Sequence, residues 1–185
     1  TAGETMLRHG VIDGSEGIPV QVNPLSGLDD DDTFNAGALA AALRASFASA
    51  SIASSLSAKV SVVVDGGGVL HFDDVAADVR LRAIDAQHGA SLHVSLGGNA
   101  STSTPIGAVA PEGAVACVLR LLELLAAKAP NARMRDAVQG EGLSAFKSAV
   151  EPYSRSSMSD EARQNLGGLY GAMWEEWQAN VTKAR

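Results

Sequence analysis

Between Gly113 and Ala127 the residues Val115, Val118, Leu119, Leu121, Leu122, Leu124 and Leu125 nearly encircle a helix, interrupted by Arg120 and Glu123. A helix that is apolar on almost every side has to be buried, and each fully buried leucine contributes ~1.5 to 3 kcal/mol. The rest of the chain must therefore supply a layer to cover it. The run falls short of the roughly 20 apolar residues that a bilayer-spanning helix needs, so it predicts a core helix and no membrane segment. With 185 residues, 46% of them hydrophobic, the chain is long enough for one well-buried core.

The covering layer is legible as strands. Ile18, Val20 and Val22 alternate with Pro19, Gln21 and Asn23 over residues 18–23, the period of a half-buried strand. Residues 59–65 are rich in β-branched side chains and end at Gly66, Gly67 and Gly68, which predicts a strand and a tight turn. Residues 79–84 and 91–96 alternate as well, and six residues between them predict an antiparallel hairpin. An alanine-rich helix is expected over 36–56, a polar loop over 97–105, a short basic helix over 131–138 and a connection over 140–157. A last helix, 159–183, carries Trp174 and Trp177 on its apolar stripe. The order predicts an α+β fold of α/β-like character, a mixed sheet of four to five strands covered by helices. Three segments are expected: an extension over 1–16, the α/β unit over 17–140 and a helical segment over 141–185.

Composition removes several functions. One cysteine, Cys117, rules out four-thiolate ligation of zinc or of an iron-sulfur cluster within the chain, and no metal site is expected. A net charge of -7 gives no drive toward a phosphate backbone, so nucleic acid is not an expected partner. No secretory h-region stands in residues 1–10, and a cytoplasmic protein is expected. The triple glycine lacks the spaced glycines and helix start of a dinucleotide loop. The run from Asp29 to Asp32 lacks the glycine and the bidentate glutamate of a calcium loop, since Phe34 and Ala40 stand there.

One constellation remains. If the strands share a sheet with their apolar sides on the core, the other side carries Gln21, Asn23, Lys59, Ser61, Arg80, Arg82, Ser91, His93 and Ser95. Lys59, Arg80 and Arg82 on one face of an acidic protein suit a polyanion, because guanidinium groups bind carboxylates by paired, charge-assisted hydrogen bonds.

The stretch from Leu56 to Gly68, with Ser57-Ala58-Lys59-Val60 at its start, and the stretch from Ala77 to Leu81 resemble the siroheme-dependent nitrite and sulfite reductase family, within it the precorrin-3B synthase branch. The segments from Asn23 to Asp29 and from Ala132 to Asp136 add to the likeness, which spans roughly residues 18–140. The resemblance implies the first, cysteine-poor copy of an α+β repeat. It further implies siroheme and a 4Fe-4S cluster in the complete protein, with a second repeat and ferredoxin-like half-domains as partners. Lys59 would be the catalytic lysine, acting on a tetrapyrrole or a small oxyanion, and Asn23, Lys59, Arg80 and Arg82 would line the cofactor. Ser61 stands where sulfite and nitrite reductases carry a second basic residue, which favours the precorrin branch over sulfite or nitrite reduction. The chain alone is expected to be catalytically inert. The alternative is a non-catalytic binding or assembly domain that keeps the repeat fold and docks through the Trp174 and Trp177 helix.

Overall fold

The computed structural model describes residues 17–50, 52–84, 90–139 and 142–154. The expected helix over 159–183, with both tryptophans, lies outside them. Five strands form one sheet in the order β1 (Val20–Val22), β2 (Val62–Asp65), β3 (Ala77–Ile84), β4 (Ser91–Gly98) and β5 (Thr104–Val109). The β1/β2 and β2/β3 pairs are parallel, and the β3/β4 and β4/β5 pairs are antiparallel. The sheet is thus mixed and helix-covered, as expected, and β3 and β4 form the predicted hairpin.

Parallel neighbours need crossovers. From β1 to β2 the chain passes through helix α1 (Ala36–Ala50) and a 3-10 turn (Ile52–Ser55). The Asn35 side chain starts α1 by accepting the Ala38 N–H at 3.0 Å. Arg44 in its middle donates to the Val20 carbonyl at 2.6 Å, tying the helix to β1. The single helix expected over 36–56 is therefore two elements. From β2 to β3 the crossover is the loop 66–76, without a helix.

Helix α2 (Ala114–Ala126) is the apolar run. Ala114, Cys117, Val118, Leu121, Leu122 and Leu125 are fully buried, whereas Val115, Leu119 and Leu124 are half-buried and Arg120 and Glu123 pair at the surface at 3.0 Å. Burial among the described residues is thus confined to one side of the helix, where the shared core and the helices α1 and α4 cover it. Val62, Val64, Val79, Leu81, Leu92, Val94 and Leu96 of the sheet join these residues in one core.

Two elements differ from expectation. Residues 97–105, expected as a loop, contain the end of β4 and the start of β5, and β5 pairs with β4 through a bulge in which Ile106 has no partner across the ladder. Pro105 is tolerated because β5 is an edge strand. Within the expected connection 140–157 lies helix α4 (Gly142–Val150), whose Phe146 and Val150 are buried against β5 and α2. The short helix α3 (Met134–Ala137) plugs Met134 into the core beside β4.

Candidate functional site

Across the face opposite the helices, the register sets Val63 beside Arg80, Asp65 beside Arg82, Arg80 beside Ser95 and Arg82 beside His93. The loop 66–76 crosses this face. Arg80, only 4% exposed, donates through Nη2 to the Phe72 carbonyl at 2.9 Å and through Nη1 to the Val75 carbonyl. Burial lowers its pKa, opposed by the charges of Asp65 and Asp73 and reinforced by Arg82. A guanidinium stays protonated regardless. Arg80 is thus a peg that satisfies carbonyls of a loop lying on the sheet.

Arg82 is half-exposed and grips the same loop, with Nη1 2.8 Å from Asp73 Oδ1 and Nε 3.8 Å from Asp65 Oδ2. Asp65 is buried and accepts the Gly67 N–H at 2.9 Å, and His71 Nδ1 lies 3.2 Å from both of its carboxylate oxygens. An imidazole protonated at Nδ1 donates to that carboxylate, which holds the ring in one orientation. The triple glycine belongs to this corner. A Cβ on Gly68 would collide with the carboxylates of Asp29 and Asp32, and Asp29 Oδ2 accepts the Val69 N–H at 2.9 Å. The glycine turn and the aspartate run, two separate motifs in the sequence, are one packed unit.

A second hub stands at the start of β3. Asp78, 1% exposed, accepts Arg133 Nε at 3.0 Å, Arg133 Nη2 at 2.9 Å, Met134 N at 2.9 Å and Ser61 N at 3.2 Å. That hydrogen bond, first among its causes, raises the Arg133 pKa. Asp78 shares its alternation parity with Arg80 and Arg82, the signal by which it could have been found.

Of the three cations expected on one face, the sheet brings together Arg80 and Arg82, with Ser95 and His93 beside them. Lys59 sits exposed in a turn three residues before β2, so the strand placement that put it on the polar face is corrected. It lies off the end of β2 opposite to Asp65, where Arg82 pairs. Asn23 is buried at the end of β1, its Nδ2 donating to the Leu70 carbonyl at 3.1 Å and its Oδ1 accepting the Leu25 N–H at 2.9 Å. Ser91 is likewise buried rather than solvated.

Beyond Arg82 the face opens into a groove of about 720 Å³ between β3, β4, β5 and α4. Arg82, His93, Ser95, Ser103 and Lys147 line it. Sequence reading missed Lys147, since it placed no helix there. Among the described residues no group of three or more His, Cys, Asp or Glu is arranged to hold a metal, and no helix is long and apolar enough to cross a membrane. Cys117 is fully buried, and burial pushes its thiol pKa up to about 12, so it is a neutral thiol unsuited to ligate a cluster.

The mixed five-stranded sheet with its helices is an α+β fold like that of the nitrite and sulfite reductases. The Mycobacterium tuberculosis NirA protein has the same fold over 74% of this chain and 28% of its own, with a TM-score of 0.56 and 14% sequence identity. In sequence the chain is similar to the precorrin-3B synthase of a Sinorhizobium species, with 33% identity over 122 residues, 66% of this chain. The expected resemblance to this family is therefore borne out. The chain spans about a quarter, 27%, of that relative's length. No family model matches the sequence.

Proposed function

We propose that this chain is one portion of a siroheme and iron-sulfur oxidoreductase that acts on a precorrin, and that it supplies one wall of the tetrapyrrole site. The observation that carries this reading is the 33% identity to precorrin-3B synthase over 122 residues, 66% of this chain. Siroheme would bring the redox-active iron. The cluster thiolates would have to come from another part of the protein, because the only thiol here is buried and neutral.

The residues present fit a wide anionic ligand better than a small one. The main chain at Lys59 and at Arg82 stands off opposite ends of β2, four residues long, a span of about 10 Å or more at about 3.3 Å per residue, which favours a ligand that can itself extend over that span. A tetrapyrrole does so and a lone oxyanion does not. In this reading Lys59, whose ammonium group is exposed, holds a proton at the substrate end. Arg82 meets carboxylates, while Arg80 and Asn23 act indirectly by fixing the loops 66–76 and 24–28.

A partner surface follows from the same loops. Leu28 is 81% exposed and Val69 67%, and Leu25 and Leu70 stand beside them through the Asp29 to Val69 and Asn23 to Leu70 hydrogen bonds. Neighbouring exposed aliphatic side chains of this kind suit contact with another protein unit. Here that unit is the second repeat or a ferredoxin-like half-domain. The non-catalytic assembly reading shares this surface and differs in needing no role for Lys59.

The discriminating test is a pair of measurements on Lys59→Ala: the Tm of the chain and the turnover of the complete enzyme. Unchanged Tm with turnover reduced at least about tenfold supports the oxidoreductase reading. Unchanged turnover sinks the role of Lys59 and favours assembly.

A further inference from the structure

In a chain with 21 acidic and 14 basic residues, the groove between the β4–β5 edge and α4 has an unusual lining. Arg80, Arg82, His93 and Lys147 contribute to it, and among the described residues no carboxylate does. Arg80 and Arg82 are balanced from behind by Asp65 and Asp73, outside the groove. Lys147 differs in having no such pair within 4.0 Å among the described residues. It is exposed in the last turn of α4 and makes no ion pair among the described residues, and Glu151 lies in the adjoining depression without pairing to it. His93 is exposed on β4 and has no partner among the described residues.

The fold keeps this space open. Ser103 Oγ donates to Ser95 Oγ at 3.0 Å, which leaves the Ser95 hydroxyl hydrogen free to donate into the groove. The bulge places Gly107 against α4, where an added Cβ would already press Val150 Cγ1 at 3.2 Å. Two nitrogen-bearing side chains, a half-exposed guanidinium and a hydroxyl donor thus face one open volume with no acceptor of opposite charge inside it among the described residues.

We propose that this groove binds a polycarboxylate, with Lys147 and His93 as its primary contacts and Arg82 and Ser95 completing the donor set. The site shares Arg82 with the tetrapyrrole wall but does not depend on it. The carboxylates could belong to a free small acid or to the rim of a carboxylate-rich macrocycle, and the chemistry recognised is the same.

The test is calorimetric titration of the chain with citrate and, separately, with an octacarboxylate porphyrin, both at low salt. Saturable one-to-one binding of at least one probe is expected. Lys147→Gln should weaken it about three- to tenfold, Lys147→Glu further and His93→Asn about threefold, while Lys128→Gln, an exposed charge outside the groove, leaves it unchanged. Binding of citrate alone assigns a free acid, and binding of the porphyrin alone assigns a macrocycle rim. The proposal is overturned if neither probe saturates, or if Lys128→Gln weakens binding as much as Lys147→Gln. Such a failure leaves the Lys59 measurement untouched, so the two readings can fail separately.

Discussion

Arg133 grips Asp78 with two donors of one guanidinium, Nε to Oδ1 at 3.0 Å and Nη2 to Oδ2 at 2.9 Å. The pair joins the residue that precedes α3 to the start of β3 across 55 residues of sequence. Asp78 also accepts the Met134 and Ser61 N–H groups, so a single buried carboxylate positions α3, β2 and β3 together.

Asp78→Ala is expected to cost roughly 2 to 4 kcal/mol, because it strands a buried N–H besides the guanidinium. Arg133→Ala should cost less, about 1 to 2 kcal/mol, since Arg133 is 38% exposed and the two N–H donors to Asp78 remain. Urea denaturation of both variants checks the order. A larger loss in Arg133→Ala would show that the N–H groups do not hold the carboxylate.

Gly97 has φ +70, and a Cβ there would stand 2.6 Å from the Arg135 main-chain nitrogen. Gly97→Ala should destabilise by about 2 to 4 kcal/mol, from left-handed strain plus the forced retreat of α3. Gly17→Ala, where a Cβ meets nothing within 4 Å, is the neutral control. Thermal melts of the two variants read the contrast.

Cys117 is buried, and its thiol pKa is raised to about 12 by desolvation. Alkylation at pH 8 is expected to be at least about a hundredfold slower in the folded chain than in denaturant, where the thiolate forms near its ordinary pKa. Fast modification of the native chain would contradict the packing of α2.

Asp29 has its pKa lowered from 3.8 by the Val69 N–H and then the Asp31 N–H. A carboxyl group depressed in the folded state contributes stability above its unfolded pKa and loses it as pH falls through the folded one. Wild type should therefore exceed Asp29→Asn in urea midpoint at neutral pH, with the gap closing only below pH 3.8. A gap that closes between pH 5 and 7 would point to a histidine instead.

Local pattern determined much of this protein. The two-residue alternation of 79–84 and 91–96 places the hairpin, the run ending at Asp65 places β2, and the apolar stretch 113–127 places α2, because burial of one face imprints a period on the sequence. The same alternation put Arg80, Arg82, His93 and Ser95 on the face away from the helices. Only the tertiary structure decided what that face does. The crossover 66–76 carries no periodic signal, yet its Phe72 and Val75 carbonyls consume Arg80 and its Asp73 holds Arg82. Lys59 sits beyond the strand end because the ladder stops at Val62, a limit set by pairing with β1 and β3 rather than by its own neighbours. Edge strand β5, with Pro105, Gly107 and Ala108 among its six residues, and helix α4, with five glycine, serine and alanine residues among its nine, carry weak local signals, and their order comes from the partners they find, β4 for one and the core around Phe146 for the other. Lys147 could reach the groove only after that packing, since contacts across 54 residues of chain leave no trace in local spacing.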